Sequence, residues 1–427
     1  MKKDDYKPRI ADEMLHLLLE AMGAVLIEGA KYCGKTTMAA QHAASALYMA
    51  DPETKTQNMA MAKTNIRRLL AGDTPRLIDE WQLATQFWDA VRGEVDKRGE
   101  DGQFILTGSA VAPDDSDIYH SGTGRIGWLK LRTMSLWESG DSTGDVSLGA
   151  LFNNANEVDG ASRINLDSLA YLICRGGWPK GVMKKNASAA LLQVKEYFEA
   201  VTRYDISRVD NVQRDTELAK RLMRSYARLQ GSQASAGTIL ADVKVNDDDS
   251  LGESTIYSYI KALKKIFVIE DSLAWNPNLR SKTAIRTSDT RYFSDPSIAT
   301  AALGLGPKDL INDLNTFGLF FETLCVRDLR VYADALDGSV YHYRDKNGLE
   351  CDAVVHLRNG KYGLIEVKLG GKDLLDEGAK SLTKLAAAID TDKMRAPSFM
   401  MVITGVGNYA YKRDDGVLVV PIGALKH

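Results

Sequence analysis

The stretch Gly29-Ala30-Lys31-Tyr32-Cys33-Gly34-Lys35-Thr36 constrains this chain more than any other. It follows the apolar run Ala24-Val25-Leu26-Ile27 and opens a segment of helical composition, Thr37 to Tyr48. A strand, the spacing G-x-x-x-x-G-K-T and a helix together make a phosphate-cradling loop. Its glycines let successive backbone N–H groups converge on an anion at a helix N-terminus. Lys35 is placed for the β- and γ-phosphates of a nucleotide, and the Thr36 hydroxyl for Mg²⁺. Thr37 completes the binding stretch. Because Cys33 sits inside the loop, a thiol reagent is expected to attack it unless nucleotide is bound.

With 427 residues, the chain has room for two to four domains with cores of their own. A net charge of −3 argues against wholesale affinity for nucleic acid, though not against a local basic surface. No apolar run approaches a membrane span, and Met1-Lys2-Lys3-Asp4-Asp5 leads into no signal-peptide core. The cysteines Cys33, Cys174, Cys325 and Cys351 are scattered, with no C-x-x-C pair and no histidines nearby. That pattern speaks against a disulfide framework or a zinc site and for a reducing cytoplasm.

Ahead of the loop, Pro8 to Met22 has apolar residues at helical spacing, and Thr64 to Ala71 reads as a short helix after it. Arg76-Leu77-Ile78-Asp79-Glu80 reads as a strand ending in two carboxylates. Downstream of a phosphate loop, Asp79 is expected to hold Mg²⁺ through water and Glu80 to orient and deprotonate the attacking water. A helix is expected from Gln82 to Arg98. The strand Phe104-Ile105-Leu106 ends in Thr107-Gly108-Ser109, where Thr107 or Ser109 would lie beside the γ-phosphate. Gly124-Arg125-Ile126 then precedes an alternating run, Trp128 to Arg132. Arg125, and less so Arg132, would serve as a finger reaching a nucleotide held by a neighbouring subunit; the alternative is a solvated charge.

In order along the chain, Gly29 to Thr36, Leu77 to Gln82, Phe104 to Ser109 and Gly124-Arg125 through Met134-Ser135-Leu136-Trp137-Glu138 resemble a widespread group of bacterial and archaeal AAA+-type ATPases. In that group the C-terminal half is a domain of unknown function containing a restriction-endonuclease-like segment. The similarity covers nearly the whole chain. It implies an ATP- and Mg²⁺-dependent enzyme working as a ring or a pair, with a hexamer favoured and the active site shared between subunits.

Glu138 to Arg163 is rich in Ser, Gly, Asp and Asn and reads as an exposed insertion or linker. Leu166 to Trp178 ends in Arg175-Gly176-Gly177-Trp178-Pro179, where Trp178 either stacks on a nucleotide base or simply follows a helix stop. Leu191 to Thr202 and Asp215 to Leu229 complete a helical lid. Helices from Glu217, over Ser235 to Val243 and from Glu253 are followed by strands at Val268 to Leu273 and Arg291 to Phe293. This order describes a winged helix, whose third helix carries Tyr257, Lys261, Lys264 and Lys265 and whose wing carries Arg280, Lys282 and Arg286. These cations are placed for DNA phosphates; many winged helices in ATPases serve only as lids or protein contacts.

In the last module, a helix from Leu319 to about Tyr332 precedes a hairpin, Leu349 to Leu357 and Lys361 to Leu369. Ala353, Val355, Leu357, Ile365, Val367 and Leu369 form one apolar set. A two-residue Asn-Gly loop would put its two halves on opposite faces. The three-residue loop Arg358-Asn359-Gly360, with Gly360 left-handed, restores the register and sets Asp352 across from Glu366, with Lys368 farther along. Two facing carboxylates and a lysine make a Mg²⁺ site, and Glu322 would complete it. The arrangement resembles the D-x(n)-E-x-K core of restriction-endonuclease-like nucleases, with Cys351 where many members have proline. A surface salt bridge on a half-solvated hairpin is the alternative.

The expected architecture is α/β: a P-loop AAA+-type core over 1–150, linker and helical lid over 151–215, a winged helix over 216–300 and a restriction-endonuclease-like domain over 301–427. The function expected is an ATP-driven DNA-processing enzyme; resemblance to resolvase-like members of the nuclease fold points to branched DNA, but no residue selects branched over duplex. The alternatives are a nucleotide-gated switch or scaffold that binds without cutting, and a transcriptional regulator acting through the winged helix.

Overall fold

The computed structural model describes residues 6–109, 122–155, 158–210, 212–244, 251–276, 288–392 and 394–427. Two compact units divide it. One comprises Met1–Thr133, Tyr204–Gln213 and Ala262–Phe267; the other comprises Met134–Arg203, Arg214–Lys261 and Val268–His427.

In the first unit the described strands β1 (Ala24–Glu28), β2 (Ser45–Tyr48), β3 (Arg76–Asp79), β4 (Phe104–Gly108) and β5 (Ile126–Lys130) form one sheet in the order β2-β3-β4-β1-β5. Every pairing is parallel. A parallel sheet needs cover on both faces, and β1 is accordingly apolar from Ala24 to Ile27 before it ends at Glu28. Val25 and Ile27 pack with Leu15 and Leu19 of the lead-in helix Ala11–Ala21 and with Met38. Ala24 and Leu26 pack with Phe87, Trp88 and Val91 of the helix Phe87–Arg98.

Two expectations are corrected here. The segment after the phosphate loop is a helix only over Lys35–His42, because Ala43 turns extended and Ser45–Tyr48 joins the sheet edge as β2. The second helix begins earlier than expected, at Lys55, and runs to Asn65. The stretch read as helical from Thr64 is a single 3₁₀ turn, Ile66–Arg68, after it.

In the second unit, the stretch expected to be an exposed linker is built into the core. Strand β6 (Val146–Ser147) pairs with β14 (Leu425–Lys426) close to the last residue of the chain, and Val146, Leu148 and Leu151 are buried. The helices Thr216–Arg228 and Ala236–Val243 each start at a side-chain cap, from Asp215 and Ser235. After the helix Glu253–Lys265, an irregular antiparallel ribbon links Ile269 to Phe293 and Ser272 to Thr290. The wing cations Arg280, Lys282 and Arg286 lie outside the described residues.

The described sheet of this unit runs β7-β12-β13-β11-β10-β9-β8. Its members are β7 (Gly160–Ala161), β8 (Gly338–Arg344), β9 (Glu350–Leu357), β10 (Tyr362–Lys368), β11 (Phe399–Thr404), β12 (Tyr409–Lys412) and β13 (Leu418–Pro421). The ribbon joins this sheet: His342 of β8 donates its N–H to Leu273 O at 3.0 Å, and Trp275 donates to His342 O at 2.6 Å. The hairpin register is the expected one. His356, Val355, Val354 and Ala353 face Tyr362, Gly363, Leu364 and Ile365, and Gly360 has φ 83°. Both faces of the hairpin are buried. Val354, Tyr362 and Leu364 are as buried as Ala353, Val355 and Ile365, because the helix Lys372–Ala388 packs over the second face.

Candidate active site

The phosphate loop leaves β1 at Glu28 and enters the helix at Lys35. Its shape explains its glycines. Gly29 has φ 155°, and a Cβ there would lie 2.1 Å from Leu131 O. Gly34 has φ 107° at the helix start, and Tyr32 takes φ 64°, a left-handed conformation uncommon outside glycine. The Lys35 ammonium is buried within the loop and donates to Gly29 O at 2.7 Å and to Ala30 O at 2.9 Å.

The side chains expected to handle the metal and water converge on the same end of the sheet. Thr36 Oγ1 donates to Asp79 Oδ1 at 2.6 Å, and Thr107 Oγ1 donates to that same oxygen at 2.6 Å. Strand β4 lies between β1 and β3, so Thr107 is where a bridge to Asp79 is needed. Ser109 takes a different partner, donating to Glu80 Oε2 at 3.2 Å. Glu80 itself sits at φ 56°, ψ 46°, with its carboxylate accepting from the Gln82 amide. A non-glycine residue held left-handed beside a phosphate loop is the kind of strain that collects at functional sites. The hydroxyl of Thr36 and the carboxylate of Asp79 are hard oxygen donors at one point. The residues present therefore fit a hydrated Mg²⁺.

Several side chains fall elsewhere. Cys33 is fully buried, and its thiol donates to Leu131 O at 3.3 Å. The expected nucleotide-sensitive labelling is therefore corrected: the sulfur faces the core, and only the backbone of Cys33 lines the loop. Arg125 precedes β5 and accepts the Ala24 N–H at its carbonyl. It thus lies at the opposite end of the sheet from the loop of its own chain, half exposed and ion-paired with Asp96 at 2.9 Å. That bond holds the Asp96 carboxyl below its ordinary value. Trp178 is buried, donates to Ser297 Oγ at 2.9 Å and packs on Tyr197, so its place in the fold is structural.

Two further contacts hold the loop. Buried Arg9 donates to Cys33 O at 3.0 Å and to Arg132 O at 2.9 Å, fixing the loop from outside its motif. Lys31 pairs with Asp205 at 2.5 Å. Nothing in the spacing of either residue announces its partner.

In the second unit, Asp352, Glu366 and Lys368 come together as the register predicts. A bulge in β9 between Cys351 and Val354, opposite His342, contains Asp352. The Asp352 carboxylate accepts the Val367 N–H at 2.7 Å and is hydrogen-bonded to Glu366, whose Oε2 pairs with Lys368 at 2.9 Å. Burial, reinforced by Asp352, raises Glu366 to about 9. The same two causes raise Glu322 to about 8. Burial raises Asp352 as well, against the pull of Lys368. Glu322 accepts the hydroxyl of the buried Tyr292. Among the described residues, no three acidic, histidine or cysteine side chains gather at metal-ligand spacing. Glu322 therefore does not join Asp352 and Glu366 in a three-acid cluster, and the hairpin itself offers a metal two carboxylates.

Also among the described residues, no helix is long and apolar enough to cross a membrane. Residues 166–309 match the domain of unknown function DUF8612, and residues 317–425 match the domain of unknown function DUF4143. No curated protein matches the chain. Among solved structures it is similar to the Walker-type ATPase PABY2304 of Pyrococcus abyssi. That likeness has 13% identity and a TM-score of 0.44, over 70% of this chain and 96% of the other. Residues 22–139 match the AAA domain family, and with the loop geometry above they constitute a P-loop ATPase domain of the AAA type.

Proposed function

We propose that this P-loop ATPase drives DNA processing by a metal-dependent phosphodiesterase site in its second unit. In the ATPase site, the loop N–H groups and Lys35 bind the phosphates, and Glu80 orients and deprotonates the attacking water. Thr36 and, through water, Asp79 would hold a Mg²⁺, which would supply positive charge against that developing on the phosphates. Arg125, exposed at the far end of the sheet, acts on a nucleotide held by a neighbouring subunit in a ring, for which a hexamer is favoured. Subunit counting with a non-hydrolysable nucleotide tests the ring.

The observation that carries the DNA-processing reading is the meeting of Asp352, Glu366 and Lys368 on one hairpin. Asp352 and Glu366 would hold a metal ion, which would supply the Lewis acidity for water activation, while Lys368 supplies positive charge beside a scissile phosphate. Labelled duplex and four-way DNA, incubated with Mg²⁺ with and without ATP, should be cut. Asp352→Ala and Glu366→Ala should abolish the cutting.

A nucleotide-gated scaffold that binds DNA without cutting is the second reading. What favours it is the raised carboxyls of Glu322 and Glu366, since acids that stay protonated at neutral pH bind metal poorly. Binding without cleavage, with or without ATP, would decide for it.

A further inference from the structure

The stretch expected to bind nucleotide carries a second cation besides Lys35. Lys31 lies two residues after Gly29, and its side chain is 41% exposed. Its ammonium sits 2.5 Å from Asp205 Oδ1, and the Asp205 side chain is only 12% exposed. Two charges so placed attract more strongly than a fully solvated pair, yet the lysine stays open to an incoming ligand.

Asp205 reaches this position through an irregularity. The helix Ala187–Ala200 runs into a wide π-helical turn, Val201–Asp205, and Thr202 returns its hydroxyl to Phe198 O at 3.0 Å. Such turns shift the following side chains around the helix axis and recur at functional sites. The short helix Ile206–Arg208 follows. The segment Tyr204–Gln213 belongs to the ATPase unit, although the chain on either side of it belongs to the other unit. Beyond Gln213 the chain continues into the helix Thr216–Arg228.

A nucleoside triphosphate seated in the loop brings several negative charges to the cation that Asp205 already holds. Phosphate and carboxylate then compete for Lys31 and repel each other. We propose that Asp205 is a built-in competitor for the phosphate loop: it weakens nucleotide binding through Lys31, and bound nucleotide in turn releases Tyr204–Gln213 from the loop. The two halves of this statement are one coupling, because each partner must change the other's affinity by the same factor. Asp205 is thus a positioning residue acting through Lys31. Its release gives nucleotide binding a route into the helices on both sides of the segment.

This inference rests on nucleotide binding at the loop, and the test separates the two. A non-hydrolysable ATP analogue is titrated calorimetrically, with Mg²⁺, into the full-length chain and its variants. Asp205→Asn should tighten binding roughly three- to tenfold, as expected for losing a partly buried competing charge. Lys31→Met should weaken binding, and adding Asp205→Asn to Lys31→Met should then change nothing. In the unaltered chain, amide exchange over Tyr204–Gln213 should quicken when the analogue binds. Weaker or unchanged binding in Asp205→Asn overturns the inference, as does an equal effect in the Lys31→Met background or slower exchange with nucleotide. Lys35→Ala is the control. Retained affinity there would bring down the loop reading and this inference together, whereas lost affinity there beside an unchanged Asp205→Asn sinks the inference alone.

Discussion

Thr36 donates its hydroxyl to Asp79 across 2.6 Å, joining the end of the phosphate loop to the end of a strand two places away in the sheet. Thr107, on the strand between them, donates to the same oxygen. One carboxylate therefore organises three elements, and its charge matters more than its shape. Asp79→Asn keeps the shape and removes the charge. We expect it to slow phosphate release roughly 100-fold, with nucleotide affinity changed by less than about tenfold. Turnover close to that of the unaltered chain would place the metal elsewhere.

The thiols test the inside of the loop. All four cysteines are buried, and Cys33 gives its S–H to Leu131 O. An aromatic disulfide reagent should therefore find almost no fast-reacting thiol in the native protein and four in guanidinium, with no protection by nucleotide. A single rapidly reacting cysteine, blocked by ATP, would return Cys33 to the phosphate side.

That reversal marks the boundary of what the sequence carries. The loop motif specifies backbone shape, so Gly29, Gly34, Lys35 and Thr36 were legible from spacing. It does not specify which way a small side chain such as Cys33 turns, because that depends on Leu131, 98 residues away. The hairpin register was legible for a comparable reason: an apolar period of two and the left-handed Gly360 fix it locally. The edge strand Ser45–Tyr48 was not, since its alanine- and leucine-containing run fits a helix until β3 offers a partner. The burial of Val354 and Leu364 likewise depends on a helix that follows in the chain. The partners of Lys31 and Arg9 are set by tertiary folding alone.

The second unit holds a buried charge cluster that should dominate its stability. Arg327 bonds Asp295 at 3.0 Å and Asp328 at 2.5 Å, and all three side chains are almost wholly buried. Asp295 also accepts the Gly177 N–H at 2.9 Å, and Asp328 accepts the Leu136 N–H at 3.0 Å, so the cluster ties distant stretches together. Arg327→Met leaves two carboxylates without their counter-charge. We expect a loss of about 3–5 kcal/mol in chemical denaturation, typical of breaking a buried pair from one side. A loss below about 1 kcal/mol would mean that water reaches the acids.

The carboxyls around the hairpin predict how stability varies with pH. Burial, then Asp352, raises Glu366 to about 9, against an unfolded value of 4.5. Between those values the folded chain holds a proton that the unfolded chain has lost. Stability supplied by the protonated form is complete below pH 4.5 and declines as pH rises toward 9, at up to about 1.4 kcal/mol per pH unit for one such group. Glu322, raised to about 8, adds to the decline over a similar range. Lys368 is raised as well, so its contribution falls away only at higher pH. In buffer with a chelator, Glu366→Gln should match the unaltered chain most closely near pH 5 and gain on it steadily toward pH 9. Urea midpoints at three pH values measure the difference. A constant offset between the two chains across that range would show that the Glu366 carboxyl titrates as it does in water.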